Sequence, residues 1–151
     1  MEKAVAIDVT YARAQDKSEW LPLWRAYLDF YSNPLPQEVT DTTFGRFMDA
    51  REPMVLLLAR EGKEVLGFVT LVMHRSTWAR TYYVYLEDLF VAESARGKGV
   101  GRRLIEAVIE HAKGRDCERV YWVTHAHNET ARKLYDKLAS DPGFVTYFAK
   151  L

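Results

Sequence analysis

Only one cysteine, Cys117, occurs in the 151 residues, ahead of an apolar stretch, so a disulfide framework is excluded and no thiolate set for zinc can be assembled. It reads as core filler. Charge of one sign is also missing: 21 basic residues balance 21 acidic ones. A polyanion-binding surface is not expected from such a balance, and nucleic acid is not an expected partner. Long apolar runs are absent too. The longest, Met54 to Ala59, is far too short to cross a bilayer, and Met1 to Ala4 begins no apolar segment of signal length, so the reading is a cytoplasmic chain without a membrane partner. No linker, repeat or low-complexity stretch divides residues 1–151, which makes one domain the expectation.

The pattern that is present alternates strands and helices. Val5 to Val9 reads as a short strand. Ser18 is placed to cap a helix whose Trp20, Leu23, Trp24, Tyr27, Phe30 and Tyr31 recur at spacings of three and four, and Asn33-Pro34-Leu35-Pro36 breaks it. Thr40 to Ala50 predicts a second helix. Met54 to Arg60 and Val65 to His74 predict a hairpin turning at Glu61 to Glu64, and Tyr82 to Val91, dense in aromatic and β-branched residues, is the strongest strand. A helix from Gly101 to Gly114, a strand over Arg119 to Thr124, a helix opened by Asn128 and a last strand from Phe144 to Phe148 complete a mixed α/β order.

Between the strong strand and its helix lies Arg96-Gly97-Lys98-Gly99-Val100-Gly101. Free backbone N–H groups and the helix dipole favour an anion there, the glycines admit close approach, and Lys98, Arg102 and Arg103 add positive charge. A polyphosphate suits it. Two nucleotide-binding alternatives fit poorly. A Walker loop requires a Ser or Thr after its lysine where Gly99 stands, and a dinucleotide fingerprint requires its third glycine at Arg102.

Leu86-Glu87-Asp88-Leu89-Phe90-Val91, the glycine loop, and Asn128 followed seven residues later by Tyr135 together resemble the GNAT superfamily. Within it, Tyr85-Leu86-Glu87-Asp88 is most similar to the branch of spermidine/spermine N-acetyltransferases and related amine or histone acetyltransferases. The resemblance runs from about Tyr82 onward. It implies an α/β fold: a twisted, mostly antiparallel mixed sheet of six to seven strands with the fourth and fifth splayed apart, flanked by about four helices. It implies acetyl-CoA as co-substrate, held by Leu89, Phe90 and Val91 along the pantetheine, by Arg96, Gly97, Lys98, Gly99, Val100, Gly101 and Arg102 at the pyrophosphate, and by Asn128 and Ala131. A backbone N–H near Phe90 would polarise the thioester carbonyl.

Tyr135 matches the general acid that protonates the leaving thiolate, although on periodicity alone a tyrosine between Leu134 and Leu138 reads as core, and it is the resemblance that selects the catalytic role. Glu87 and Asp88 are adjacent, and alternation sends them to opposite faces. The resemblance selects Glu87 as base, direct or through water, or as anchor for the ammonium, and leaves Asp88 a structural role. With no cysteine at the motif, direct attack in a ternary complex is expected. Tyr27 and Trp78 offer rings to a cationic acceptor. His125 and His127 lack a third ligand, so no metal is expected. The expected function is acetyl transfer to a primary amine of a polyamine, diamine or amino acid. Alternatives are a protein lysine acetyltransferase and a CoA-binding module without turnover. The apolar segment Phe144 to Ala149 also points to a homodimer.

Overall fold

The computed structural model describes residues 6–151. Its centre is a five-stranded sheet in sequential order, β1 (Asp8–Tyr11), β2 (Met54–Glu61), β3 (Glu64–Arg75), β4 (Tyr82–Val91) and β5 (Arg119–Tyr121). Three antiparallel pairings join β1 to β4, and β5 then pairs parallel to β4. The helices are α1 (Lys17–Phe30), α2 (Gln37–Phe47), α3 (Val100–Gly114) and α4 (Glu129–Leu138). No helix is long and apolar enough to cross a membrane among these residues.

The apolar run of β2 is buried on both sides, and its alternation sorts the core into two layers. Leu56 and Leu58 join Phe68 beneath Trp20, Trp24 and Phe44 of α1 and α2. Leu57 and Ala59 join Val69, Leu71, Val84 and Leu86 beneath Leu104, Ile105 and Val108 of α3. Period-two strands between two helical layers therefore fix which side chains of β4 meet α1 and which meet α3.

Several boundaries differ from the sequence reading. The first strand begins at Asp8, and Val5 lies outside the described residues. The first helix has its N-cap position at Asp16, not Ser18, after a 3₁₀ turn over Ala14–Asp16, and no side chain caps it. Asp16 is buried there because its carboxylate accepts from the Arg13 N–H at 2.8 Å and pairs with Arg60 at 2.7 Å. The second helix spans Gln37–Phe47, three residues earlier at each end, because Pro36 starts it.

The strand count is five, not six to seven. The strand expected to reach Thr124 stops at Tyr121, and Phe144 to Phe148 forms no strand. The physical reason lies at the sheet's edge: β5 contributes only three residues, too short a template for the terminal segment to pair along. Phe144, Val145, Tyr147 and Phe148 are consequently exposed.

Candidate functional site

Strand β4 has two partners at its start and one at its end. Tyr83, Val84 and Tyr85 pair with Arg119, Val120 and Tyr121, whereas Leu86 and residues 88–91 pair with β3 alone. The splay expected between the fourth and fifth strands is thus present, and the backbone of Leu89, Phe90 and Val91 runs along an open edge where an extended ligand can hydrogen-bond as an added strand.

The open edge begins at a bulge. Asp88 pairs with Thr70 but Leu86 with Leu71, so Glu87 is an extra residue in the ladder. Leu86 and Leu89 both face the α3 layer despite being three apart, and the two residues between them turn the other way. Glu87 and Asp88 therefore line the same cleft, correcting the expectation of opposite faces.

The cleft encloses about 670 Å³ between α1, the segment after it and the sheet, with Trp24, Tyr27, Tyr31, Thr70, Glu87 and Asp88 among its walls. Asp88 is held from both sides: the Tyr27 hydroxyl donates to Oδ1 at 2.7 Å and the Thr70 hydroxyl to Oδ2 at 2.5 Å. Burial raises the pKa of Asp88 above the usual carboxylate value, and the two hydroxyl donors only partly oppose this. Glu87 is also raised, first by desolvation and then by the neighbouring Asp88 charge. Tyr27 is pushed well above its ordinary value by burial and by Asp88, which keeps it a donor.

One rim of the cleft follows from how α1 ends. Ser32, in the left-handed region at φ 50°, donates its N–H to Asp29, and Asn33 donates to Leu28, so the chain turns sharply and Ser32, Asn33 and Leu35 close over the cleft. The Tyr31 ring lies 6.4 Å from His125, which stacks on His127 at 5.2 Å. Tyr31 also helps raise the pKa of Tyr135, after burial as the main cause, so that phenol stays protonated at neutral pH. Tyr135 packs edge-on against Trp122 at 5.5 Å, where α4 meets the sheet. Thr70 and His125 thus belong to the site's surroundings: alternation in β3 places Thr70, but nothing in the sequence pairs it with Asp88.

The glycine loop sits at the far end of β4. Ala95 and Val100 are buried and anchor it, while residues 96–99 between them are exposed. Gly97 and Gly99 have φ near +80°, so the loop curls through left-handed backbone into the α3 N-terminus, and no side chain caps that first turn. Arg96 lies 6.0 Å over the Phe90 ring. Uncapped N–H groups beside an open strand edge fit a pyrophosphate joined to an extended arm, the chemistry that CoA presents. Arg102 pairs with Glu106 at 2.8 Å on the same helix. Asn128 caps α4, its Oδ1 accepting the Ala131 N–H at 3.3 Å.

Trp78 is not part of this arrangement. It is 85% exposed in the loop between β3 and β4, with its backbone N–H on the Ser76 hydroxyl, and does not line the cleft. None of residues 76–81 joins either apolar layer. Helices α1 and α2 contribute walls to the cleft, and the 75–82 loop does not. Among the described residues no three His, Cys, Asp or Glu side chains gather as a metal set.

Residues 20–139 match the family described as acetyltransferase (GNAT) family. The chain is 38% identical over 135 residues to the D-amino-acid N-acetyltransferase HPA3 of Saccharomyces cerevisiae, covering 88% of this chain and 84% of that one. It is 30% identical to the uncharacterized N-acetyltransferase YhfO of Bacillus subtilis, covering 93% and 95%. A solved structure of AAC(6')-Iy with the bisubstrate analog CoA-S-monomethyl-acetylneamine superposes with a TM-score of 0.83 over 97% of this chain and 99% of that one. At 19% identity it speaks for the fold alone.

Proposed function

The chain belongs to the acetyltransferase (GNAT) family and is an acyltransferase, and we propose that its acceptor is a small molecule whose primary amine enters the cleft of Glu87 and Asp88. The observation carrying this reading is the bulge at Glu87, which turns two adjacent carboxylates into one cleft at the start of the open β4 edge. A recess of about 670 Å³ is in the range of small-molecule sites and favours a free amine over a residue in a folded protein. The yeast relative acts, by its name, on D-amino acids, so these join polyamines and diamines as candidate acceptors.

Acetyl-CoA supplies an acetyl group already activated as a thioester. Gly97 to Arg102 hold its pyrophosphate, Leu89 to Val91 its extended arm, and a backbone N–H near Phe90 stabilises negative charge as it develops on the carbonyl oxygen. An alkylammonium, with a pKa of ~10.4, enters charged and is attracted by the two carboxylates and by the Tyr27 and Tyr31 rings. Glu87 takes a proton from it, directly or through water, as nitrogen bonds to the carbonyl carbon. A base whose pKa lies above the ordinary carboxylate value is better matched to this step. As the carbon–sulfur bond breaks, Tyr135 gives its phenolic proton to sulfur, and the nitrogen's second proton passes through solvent to restore the phenol, leaving the neutral amide, while Glu87 releases its proton to solvent. Nothing is acetylated on the protein.

The test is CoA release from acetyl-CoA with polyamines, diamines, D- and L-amino acids and a lysine peptide, for the native chain and Tyr135→Phe. Turnover on a small amine that falls about a hundredfold or more in Tyr135→Phe, with acetyl-CoA affinity retained, is expected. Turnover on the peptide alone overturns the small-amine reading, and binding without turnover on any acceptor leaves a module that binds CoA.

A further inference from the structure

On the acceptor face of the sheet, one row of side chains runs out of the cleft across the strands. Met54 of β2 stands opposite Val72 of β3, Val72 opposite Tyr85 of β4, and Tyr85 opposite Tyr121 of β5. Residues paired directly across a ladder share a face, so these four stand in line, and three strand spacings make the row about 14 Å long. Met54 and Val72 line the acceptor cleft. Tyr85 and Tyr121 carry the same floor beyond it. All four are half-buried, and none joins either apolar layer. Thr70, two residues along β3 on the same face, is by contrast buried. The two helical layers thus leave the row half-open, an apolar floor in contact with water.

The two tyrosines are held in place. Their rings stack with centroids 5.0 Å apart and planes 27° from parallel, and the Tyr121 hydroxyl meets His74 Nε2 at 2.6 Å. Tyr121 takes one face of the Tyr85 ring, and the ladder sets Val72 on the other side. Tyr85 also stands near the chemistry. It precedes Glu87 by two residues on the same face, about 7 Å along the strand. Burial first, and then the Glu87 charge, raise its pKa, so the phenol stays neutral beside the carboxylate. Order along β4 gives the direction of a bound amine. The thioester lies toward Phe90, the carboxylates come before it, and Tyr85 comes before them. An amine aimed at the thioester from Glu87 therefore trails its body away from CoA, back toward Tyr85.

We propose that the row Met54, Val72, Tyr85 and Tyr121 is the subsite for the body of the acceptor, which selects elongated primary amines whose aliphatic or aromatic portion lies across these side chains. The inference rests on the small-amine reading above and names what that amine must carry. Continuity commits the row to this occupant, since Met54 and Val72 belong to the cleft and to the row at once. Methylenes or a flat ring laid on the row remove apolar surface from water on both partners. An amine of one or two carbons ends before it reaches Tyr85 and gains nothing from it.

The experiment measures CoA release by the full chain at saturating acetyl-CoA with ethylamine, butylamine, hexylamine and phenethylamine. In the native chain kcat/KM is expected to rise about tenfold or more from ethylamine to hexylamine, with most of the gain in KM. Val72→Thr keeps the shape of the floor and makes it polar, and Tyr85→Ser removes the ring. Each is expected to cut the hexylamine-to-ethylamine ratio about threefold or more, whereas Tyr85→Phe keeps it. The ratio is taken within one variant, so a loss of folded protein cancels, and Val72→Thr carries the test should Tyr85→Ser not fold. A native ratio of about one, or a ratio that both variants preserve, overturns the subsite and leaves the small-amine reading standing. So does turnover on other small amines but on none of these four. A flat native ratio together with a lower mass of Tyr85→Ser in light scattering would put a second copy on the row, and also overturns the subsite. No turnover on any small amine overturns the reading itself, and the subsite with it.

Discussion

Two neighbouring carboxylates in one cleft cannot both ionise freely, and Glu87 and Asp88 divide the cost unequally. Asp88 is the more deeply buried, but it has two hydroxyl donors fixed at hydrogen-bond distance; Glu87 is more open and has no such partner among the described residues. The hydrogen-bonded carboxylate serves as fixed charge, and the other is free to exchange a proton with an arriving ammonium. This yields a signed prediction. Glu87 must be ionised to act as base, so kcat/KM rises with pH through its raised pKa. Part of that elevation comes from the Asp88 charge. In Asp88→Asn the charge is gone, the Glu87 pKa falls, and the acidic limb of the kcat/KM profile moves to lower pH. KM for the amine rises at the same time, because half of the attraction is lost. An acidic limb that stays in place, or moves up, removes Glu87 from the role of base. Glu87→Gln is expected to abolish the limb and to lower kcat by about a hundredfold.

At the scale of elements, the site depends on how closely β3 and β4 approach. A Cβ added at Gly67 would stand 2.6 Å from the Phe90 carbonyl oxygen and 3.2 Å from the Val91 Cα, both backbone atoms that cannot rotate away. Gly67→Ala must therefore push β4 outward at the residues that form its open edge. The expected cost is about 1–3 kcal/mol, read as a Tm lower by about 3 °C or more in calorimetry, with a fall in kcat beyond what the loss of folded protein explains. An unchanged Tm would mean that the strands separate freely there. The same elements show what can be read from a sequence. The bounds Tyr82 to Val91 were legible because six of these ten residues are aromatic or β-branched and cluster at both ends of the strand, and α3 because its apolar period is unbroken between glycines. The bulge was not, since alternation rules presume an unbroken ladder and Thr70, which reveals the slip, is eighteen residues away. Likewise Trp78 has the composition of a binding residue, and only the course of its loop removes it from the cleft.

For the molecule as a whole, the terminal segment poses the remaining question of what covers it. Phe144, Val145, Tyr147 and Phe148 are exposed, Phe148 to 92%, on a chain that extends beyond α4 without regular structure. Exposed apolar surface concentrated in one short segment is unusual for a monomer. These four side chains offer on the order of 600 Å² per copy, approaching the ~800 Å² per partner of a stable interface. The edge of β5 is likewise unpaired among the described residues, three residues long and too short to hold the segment of its own chain. Two copies meeting about a two-fold axis would cover both segments at once, since an isologous contact buries the same surface twice. We therefore expect light scattering at micromolar concentration to give twice the 17.5 kDa of one chain. The double substitution Phe144→Asp and Phe148→Asp is expected to return it to one copy with its helical and sheet content intact, because neither residue belongs to the core. A single-chain mass for the native protein would overturn the dimer and leave the segment free to meet a different surface.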